Sequence, residues 1–541
     1  MRRDGLLATP AGLASLLLVV AGRALPQTAA AALSPAAGQW RADVSAIAAD
    51  DMEGRLTGSN GYLRAAEYVI ARFKAAGLEP AGLDGYLQPV ALERQLVDQG
   101  ASSAQLLSAD GAVTSLLLGE DALIGAGGAP RPSQLTAPMV FIGYGLHLPA
   151  QGYDDLEGLD LRGKIAVVLS GGPADIAGPI KANARYGRPQ LLGQLGALGL
   201  ITLTTPHQIE IPWSRQKLLA TQPGMYLADP GLRNTPDGFL LASVDPQRSD
   251  LLFRGAGHSF AELCALADAS KPLPRFDLAQ QWRASVVAHR EPLSSPNLVA
   301  RLAGRDPKLA TQYVAVSAHL DHLGIGAPID GDRIYNGAMD DASGVATVLD
   351  MAQRLKSSAT RPRRSILFLI FTAEEEGLLG SHYFAVHPSV PPGSILADLN
   401  FDMPLPLWPL RSVIAQGEGE STLGAVARDV ARQQGLALLP DPLPDRNTFT
   451  RTDQFSLVRA GVPALAFKFG FAKDTPEFQI EHDWRATRYH SPADDLLQPG
   501  VLPEEAVKLD AYVAAIALAV ANADVRPEWL PTSIFRRDAA P

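Results

Sequence analysis

The first residues with the types and spacing for chemistry are a histidine and an aspartate behind an apolar stretch. Residues 313–317 predict a strand, and His319 and Asp321 follow it two positions apart. On extended backbone, residues two apart face the same side. A neutral imidazole ligates zinc well, and a carboxylate beside it can accept its other N–H and fix its tautomer. A polar loop would also explain such a pair, so the remaining candidates matter.

Carboxylates follow at two further places. Asp340 lies just before a predicted helix whose apolar residues recur from 345 to 355, a position that also suits a helix cap. The glutamates at 374–376 come directly after the apolar run 366–371, which is typical of a strand buried on both faces. Charges so close to a buried strand are costly unless they are offset, and a divalent metal ion would offset them.

Two more residues complete the candidate set. Asp402 lies near the end of the predicted strand 397–403, and His490 lies in the segment Tyr489-His490-Ser491-Pro492. Along the chain the order is His, Asp, Glu, Asp, His. Two imidazoles with three carboxylates combine nitrogen and oxygen ligands in the balance that suits a site for two zinc ions.

These residues need a scaffold, and the surrounding pattern predicts a doubly wound α/β fold. Strands are predicted at 313–317, 365–371, 397–403 and 464–469, and a closing helix at 511–521. In such folds ligands bind at the carboxyl ends of the strands, which is where the candidates fall. We therefore expect the candidates to meet at one edge of a mixed sheet.

Upstream of this region, two segments have different residue patterns. From Trp40 to Leu78 apolar residues recur at helical spacing, and Gly77 lies where a helix would end. From 130 to 289 short apolar strands, such as 164–169, alternate with glycine-rich turns. The segment 130–289 therefore predicts a small β-rich inserted domain.

The bulk composition describes a globular chain. Of 541 residues, 47% are hydrophobic and 19% charged, and the formal net charge is −10. No basic concentration indicates binding to nucleic acid or to an anionic membrane. The single cysteine, Cys264, excludes an internal disulfide.

The first residues follow the order of a signal peptide. Arg2 and Arg3 precede an apolar stretch at 6–21, and an alanine-rich segment follows at 29–32. This predicts a periplasmic or secreted protein, with no stable membrane insertion once the peptide is cleaved. An uncleaved anchor is the alternative.

The chain resembles the zinc-dependent exopeptidases of family M28, of the aminopeptidase Y/S type, with an inserted protease-associated domain. The motifs that carry the resemblance are residues 317–324, 340–344, 373–381 and 489–492, in the family's order. The resemblance implies a zinc-dependent exopeptidase fold with this division: signal peptide 1–32, N-terminal part of the peptidase domain 33–129, insert 130–289, catalytic domain 290–526 and C-terminal tail 527–541.

The resemblance also implies a role for each candidate residue, with two zinc ions per chain and peptides as substrates. His319 and Asp402 would bind one zinc, Glu375 and His490 the other, and Asp340 would bridge them. Glu374 would be the general base toward a metal-bridging water, and Asp321 would orient His319. Apart from the resemblance, Tyr489 adjoins a predicted ligand and is a candidate donor to the oxyanion, with a purely space-filling role as the alternative.

One departure from the family pattern concerns Thr452-Asp453-Gln454-Phe455, where many relatives have Ser-Asp-His before the Phe. It affects substrate choice or the tuning of the site and leaves the ligand positions intact. The expected function is removal of N-terminal residues from peptides. The alternatives are a carboxypeptidase of the same fold, a glutaminyl-cyclase-like transferase, and an inactive receptor-like binding protein.

Overall fold

A computed structural model of the protein describes residues 32–125, 133–209, 212–219 and 222–537. The predicted signal peptide lies outside the described residues except for residue 32. The helices of the described residues, in chain order, are α1 (Pro35–Ile47), α2 (Asn60–Ala75), α3 (Gly178–Gln194), α4 (Trp213–Leu219), α5 (Phe260–Asp268), α6 (Ser343–Ser357), α7 (Leu379–Val386), α8 (Leu423–Gln433), α9 (Gln454–Arg459), α10 (Pro476–Thr487) and α11 (Pro503–Asn522).

The strands are numbered along the chain in the same way. Those before residue 200 are β1 (Glu79–Pro80), β2 (Leu87–Val97), β3 (Ser103–Ser108), β4 (Val113–Leu116), β5 (Ala122–Ile124), β6 (Gln134–Ile142), β7 (His147–Leu148), β8 (Tyr153–Asp154), β9 (Ile165–Leu169) and β10 (Gly199–Leu203). Those after it are β11 (Gly224–Leu227), β12 (Leu240–Val244), β13 (Arg275–Ser285), β14 (Ala288–Leu302), β15 (Tyr313–His319), β16 (Gly324–Ile329), β17 (Asp332–Tyr335), β18 (Ser365–Phe371), β19 (Ile395–Phe401), β20 (Ser412–Gln416), β21 (Ala437–Leu439) and β22 (Ala464–Phe469).

The main sheet is mixed, with strand order β11-β2-β14-β18-β15-β19-β22-β20-β21 and β1 beside β14. Its centre is parallel, because β15 pairs in parallel with both β18 and β19, and β19 with β22. Every residue of β15, β18 and β19 is buried. Such continuous burial is possible because helices cover both faces of the sheet.

The two faces of the main sheet have separate cores. Alternate residues of β14, β15 and β18, such as Val316 and Phe368, pack with α1, α2, α6 and α11. The intervening residues, such as Ala315 and Leu369, pack with Phe384 of α7 and Leu457 of α9. This confirms the predicted doubly wound α/β class, and a helix is found in each segment where helical spacing predicted one.

A second sheet has the order β4-β3-β13-β6-β9-β10-β12-β5, with β6, β9, β10 and β12 parallel to one another. We call this sheet with its packed helices the second-sheet unit. Apolar side chains fill both of its faces.

The bounds of the second-sheet unit differ from those of the predicted insert. The unit includes β3, β4 and β5, which lie before residue 130, while β11 falls between 130 and 289 yet pairs with β2 in the main sheet. Sheet membership depends on pairing between distant strands, which local composition does not report. That the unit is a protease-associated domain stays a prediction.

Within the described ranges, no helix combines the length and the apolar character that crossing a bilayer requires.

Candidate active site

Three adjacent parallel strands deliver most of the candidate residues. His319 is the last residue of β15, Asp402 directly follows β19, and Glu374 comes three residues after β18. In the sheet, β15 lies between β18 and β19. The strand that follows the helix after β15, β18, is therefore added on one side of β15, and β19 is added on its other side. That is the switch point at which open α/β sheets form ligand crevices.

The chain turns sharply beside these residues. Ala373, just before Glu374, has φ 54°, and Met403, just after Asp402, has φ 53°. The left-handed region is unfavourable for residues other than glycine, and such strain concentrates at functional sites. The turn at Ala373 ends the alternation of the strand, so that Glu374 and Glu375 both face the same site.

Asp340 and His490 arrive from outside the sheet. Asp340 lies in a helical turn, Ala338–Ala342, just before α6, and its peptide bond to Asp341 is cis. Gly337 precedes this turn with φ 60°, and a Cβ on it would approach the His322 ring to 2.6 Å. Only glycine fits so close to the imidazole. His490 lies after the end of α10, and its own φ is 54°.

Asp340 lies between the two imidazoles. Its Oδ1 is 3.3 Å from His319 Nε2, and its Oδ2 is 3.3 Å from His490 Nε2. On the first side Asp402 Oδ2 is 3.9 Å from His319 Nε2. On the second side Glu375 Oε2 is 3.1 Å from His490 Nε2. The structure thus brings all five predicted ligands together in two groups that share Asp340.

The donor set fits divalent cations. His319 Nε2 and His490 Nε2 are buried and have no hydrogen-bond partner among the described residues, although carboxylate oxygens surround them. Donor atoms of His319, Glu374 and Asp402 all lie within 4.8 Å of one another, as do those of His322, Asp340 and Glu375. Buried carboxylates gathered around imidazole nitrogens are costly without a cation to offset their charge.

The two adjacent glutamates have opposite electrostatics. Burial raises the pKa of Glu374 well above its usual range, and repulsion from Asp402 and Glu375 adds to the rise. Burial would also raise the pKa of Glu375, but attraction to His490 and the hydrogen bond with His322 lower it to about 2. Glu375 therefore favours the ionised form and Glu374 the protonated form; their roles as ligand and general base stay predictions.

Asp321 occupies the predicted place but makes different contacts. The hydrogen bond of His319 Nδ1 goes to the backbone carbonyl of Asp321, at 3.1 Å, while the carboxylate is 4.0 Å away. That carboxylate accepts the backbone N–H groups of Glu374, at 3.0 Å, and Glu375, at 3.3 Å. Asp321 thus holds the turn after β18, a role that spacing along one strand does not reveal.

Tyr489 lies against the site through its ring, which stacks on the imidazole of His490 with centroids 3.9 Å apart. The Arg485 guanidinium lies over the Tyr489 ring, 4.9 Å from the ring centroid. Donation by its hydroxyl to an oxyanion stays a prediction.

Sequence reasoning assigned no role to His322, although the motif at 319–322 contains it. Its Nδ1 is 2.7 Å from Glu375 Oε1, and its side chain is buried. Since Glu375 Oε1 pairs with His322, Oε2 is the oxygen directed toward His490. The histidine directly after the His-x-Asp pair was the signal that pointed to this residue.

Further residues hold the backbone of the site. Asp494 accepts the N–H groups of Met339, at 2.9 Å, and Asp340, at 3.0 Å. The buried Arg55 donates to the carbonyls of Leu320, at 2.8 Å, and Gly337, at 3.0 Å, and so joins two of the ligand-bearing segments.

Comparison with known proteins agrees with this geometry. Residues 297–505 match the family model described as Peptidase family M28. This segment of the chain is therefore similar to peptidase family M28, the family that its motifs predicted.

Individual relatives are more distant. Carboxypeptidase Q of Bos taurus is 24% identical over 355 residues, which is 63% of this chain and 60% of that protein. A probable leucine aminopeptidase 2 of Aspergillus oryzae is 34% identical over 119 residues, 22% of this chain and 21% of that protein. The chain thus spans about 60% of the first of these curated relatives.

The solved structure of an aminopeptidase from Aneurinibacillus sp. strain AM-1 has the same fold. It superposes with a TM-score of 0.53 at 19% identity, over 92% of this chain and 96% of that one.

Proposed function

We propose that the protein is a two-zinc exopeptidase that removes N-terminal residues from peptides. The observation that carries the proposal is the position of Asp340, which presents one oxygen to each imidazole at 3.3 Å. His319 and Asp402 would hold one zinc, Glu375 and His490 the other, and Asp340 would bridge them. Similarity to family M28 and relatives named as zinc metalloproteases support the choice of metal.

When bound, a zinc pair supplies Lewis acidity, which acidifies water and polarises the scissile carbonyl. The chain's own groups supply the proton transfers. Glu374 has a carboxyl oxygen 3.9 Å from His319 Nε2. The charge of bound cations would favour its ionised form, which would accept a proton from the attacking water and return it to the leaving amine. His322 and Asp321 keep the neighbouring Glu375 and the turn in position.

The cavity beside the site bears on which peptide end enters. It has a volume of about 750 Å³, and its walls include Glu375 and Glu376 from the catalytic region and strands of the second-sheet unit. Among the described lining residues, Arg233 is the only lysine or arginine. Its guanidinium already donates to the carbonyls of Leu227, at 2.8 Å, and Ala228, at 3.3 Å. Among the described lining residues a free carboxylate therefore meets no uncommitted lysine or arginine, which favours entry of a free amino terminus.

A carboxypeptidase is the second candidate, because one relative is named Carboxypeptidase Q. We propose in addition that the protein is exported, given the sequence pattern of residues 1–32.

The test is an assay of the full-length protein on peptides blocked at one end only. We expect cleavage of peptides with a free amino terminus, loss of activity with a chelator, restoration by zinc, and about two zinc ions per chain. Cleavage only of peptides with a free carboxyl terminus would favour the carboxypeptidase. Cyclisation of N-terminal glutamine would favour the transferase, and zinc-free protein without hydrolysis would favour a binding role.

A further inference from the structure

Arg215 joins the second-sheet unit to the segment that carries His490. This arginine lies in α4, and its guanidinium donates to the carbonyl of Ala486, at 2.8 Å, and to the carbonyl of Tyr489. Ala486 belongs to the last turn of α10, where carbonyl groups lack partners within the helix and a cation is favourable. Tyr489 directly precedes His490, so Arg215 holds the peptide unit from which that imidazole extends.

Two further side chains of α4 reach the second-sheet unit. Trp213 Nε1 donates to the carbonyl of Glu120, at 2.6 Å, and Lys217 Nζ is 2.5 Å from Glu120 Oε2. Glu120 lies between β4 and β5, both strands of that unit. The short helix therefore spans from the second-sheet unit to the end of α10. It also packs on β16, and Arg215 is its contact to the segment before His490.

A second contact reaches the other ligand of the same group. The backbone N–H of Met225, in β11, donates to Glu376 Oε2 at 3.1 Å. Glu376 directly follows Glu375. Thus Glu375 and His490, the two ligands proposed for one zinc, each adjoin a residue held from the segment between 130 and 289.

The other half of the site is held from within the catalytic region. His319 Nδ1 bonds to the Asp321 carbonyl, and Lys468 Nζ donates to the Asp402 carbonyl at 2.6 Å. The contacts from α4 and β11 therefore fall on one zinc position and not on the pair as a whole.

We propose that Arg215 is a positioning residue that couples docking of the second-sheet unit to the zinc position formed by Glu375 and His490. This inference rests on the proposed two-zinc function. If the contact is lost, the peptide unit before His490 is released and that zinc position weakens, while the His319–Asp402 position keeps its geometry. Contacts that orient metal ligands typically change metal affinity by about 10- to 100-fold.

The experiment measures zinc binding by the full-length protein, freed of metal and titrated against a chromogenic chelator. We expect two binding steps for the wild type. Arg215→Ala should weaken one step by about 10- to 100-fold and leave the other unchanged. Arg215→Lys keeps the cation and one donor, so it should recover part of the loss. Arg248→Ala is the matched control, because Arg248 also pairs within this part of the chain, with Asp121 at 3.0 Å, and makes no contact with the site.

Circular dichroism and thermal melting decide whether the variants fold. If Arg215→Ala does not fold, the comparison moves to Arg215→Lys. A step-selective loss in folded Arg215→Lys supports the coupling. Absence of a selective loss in that variant overturns it.

Two results distinguish failure of the coupling from failure of the proposed two-zinc function. If the wild type binds two zinc ions and folded Arg215→Ala binds both as tightly, or loses both steps equally, Arg215 has no positioning role and the two-zinc function stands. If the wild type itself binds fewer than two, both the function and the coupling are refuted.

Discussion

Glu374 and Glu375 are neighbours in sequence, yet their surroundings differ, and replacement of each by glutamine tests whether they have the distinct roles we propose. Replacement of either by glutamine keeps the size of the side chain and removes its capacity to ionise. Glu375 is the ionised partner of His322 and His490, whereas Glu374 lies 3.9 Å from His319 Nε2 with a raised pKa. The two variants should therefore differ in stability, metal content and turnover.

The magnitude follows from the pKa values. The pKa of Glu375 falls from its ordinary 4.5 to about 2, and one pKa unit corresponds to about 1.4 kcal/mol. In metal-free protein at neutral pH, Glu375→Gln should therefore reduce the free energy of unfolding by roughly 3 kcal/mol. Because the folded-state pKa is depressed, this contribution is present above pH 4.5 and is lost as the pH falls toward 2. The difference from wild type should shrink over that window.

Glu374→Gln should behave otherwise. The raised pKa of Glu374 means that its carboxyl holds a proton in metal-free protein, so a glutamine resembles the group already present. The free energy of unfolding should change by less than about 1 kcal/mol. Zinc should be retained, and turnover should fall about 10²- to 10⁴-fold because the amide cannot shuttle a proton.

Denaturant unfolding with and without chelator, zinc content and steady-state kinetics on both variants make the comparison. The reasoning is refuted if Glu374→Gln loses zinc while Glu375→Gln keeps it, which would reverse the two assignments. Full activity in both variants would locate the chemistry elsewhere.

Further predictions concern the surroundings of the site. His322→Ala should weaken zinc about 10- to 100-fold in chelator competition, because Glu375 loses its partner, whereas the exposed His482→Ala should not. Tyr489→Phe keeps the stacking on His490. If the Tyr489 hydroxyl donates to the oxyanion, kcat should fall about 10²- to 10³-fold at unchanged zinc content. An unchanged kcat would leave the ring with a packing role only. Since the cavity holds about 750 Å³, kcat/KM should decline as free-amino-terminus peptides lengthen beyond a few residues; a flat profile would exclude restriction by the second-sheet unit.

Three of the predicted ligands, His319, Glu375 and Asp402, could be expected to meet because each lies at or just after the end of a strand, whereas Asp340 and His490 come from outside the sheet. The apolar runs that end near His319, Phe371 and Phe401 predicted buried parallel strands, and such strands deliver their next residues to one edge. Local sequence thus contained the information for both the strands and the residues after them.

The residues that hold the ligands were not predictable in the same way. The contact of Asp494 with Met339 and Asp340 joins segments 155 and 154 residues apart, and Arg215 reaches Ala486 across 271. No spacing rule connects such positions, because the contacts depend on how loops meet after the sheet has formed. For the same reason, the sequence did not predict that strands before residue 130 belong to the second-sheet unit. One of them, β3, pairs with β13, which lies far along the chain.

The candidate site concentrates features that oppose folding. His490, Ala373 and Met403 adopt left-handed backbone, and burial raises the pKa of Glu374. Each of these costs free energy unless the surroundings compensate for it. The compensation comes from rigid neighbours: completely buried strands beneath the site and the contacts of Arg55, Asp494 and Arg215 at its rim. Such neighbours would arrange the proposed zinc ligands before the metal binds, and we expect the contacts of Arg215 with the segment before His490 to affect how tightly one zinc position binds.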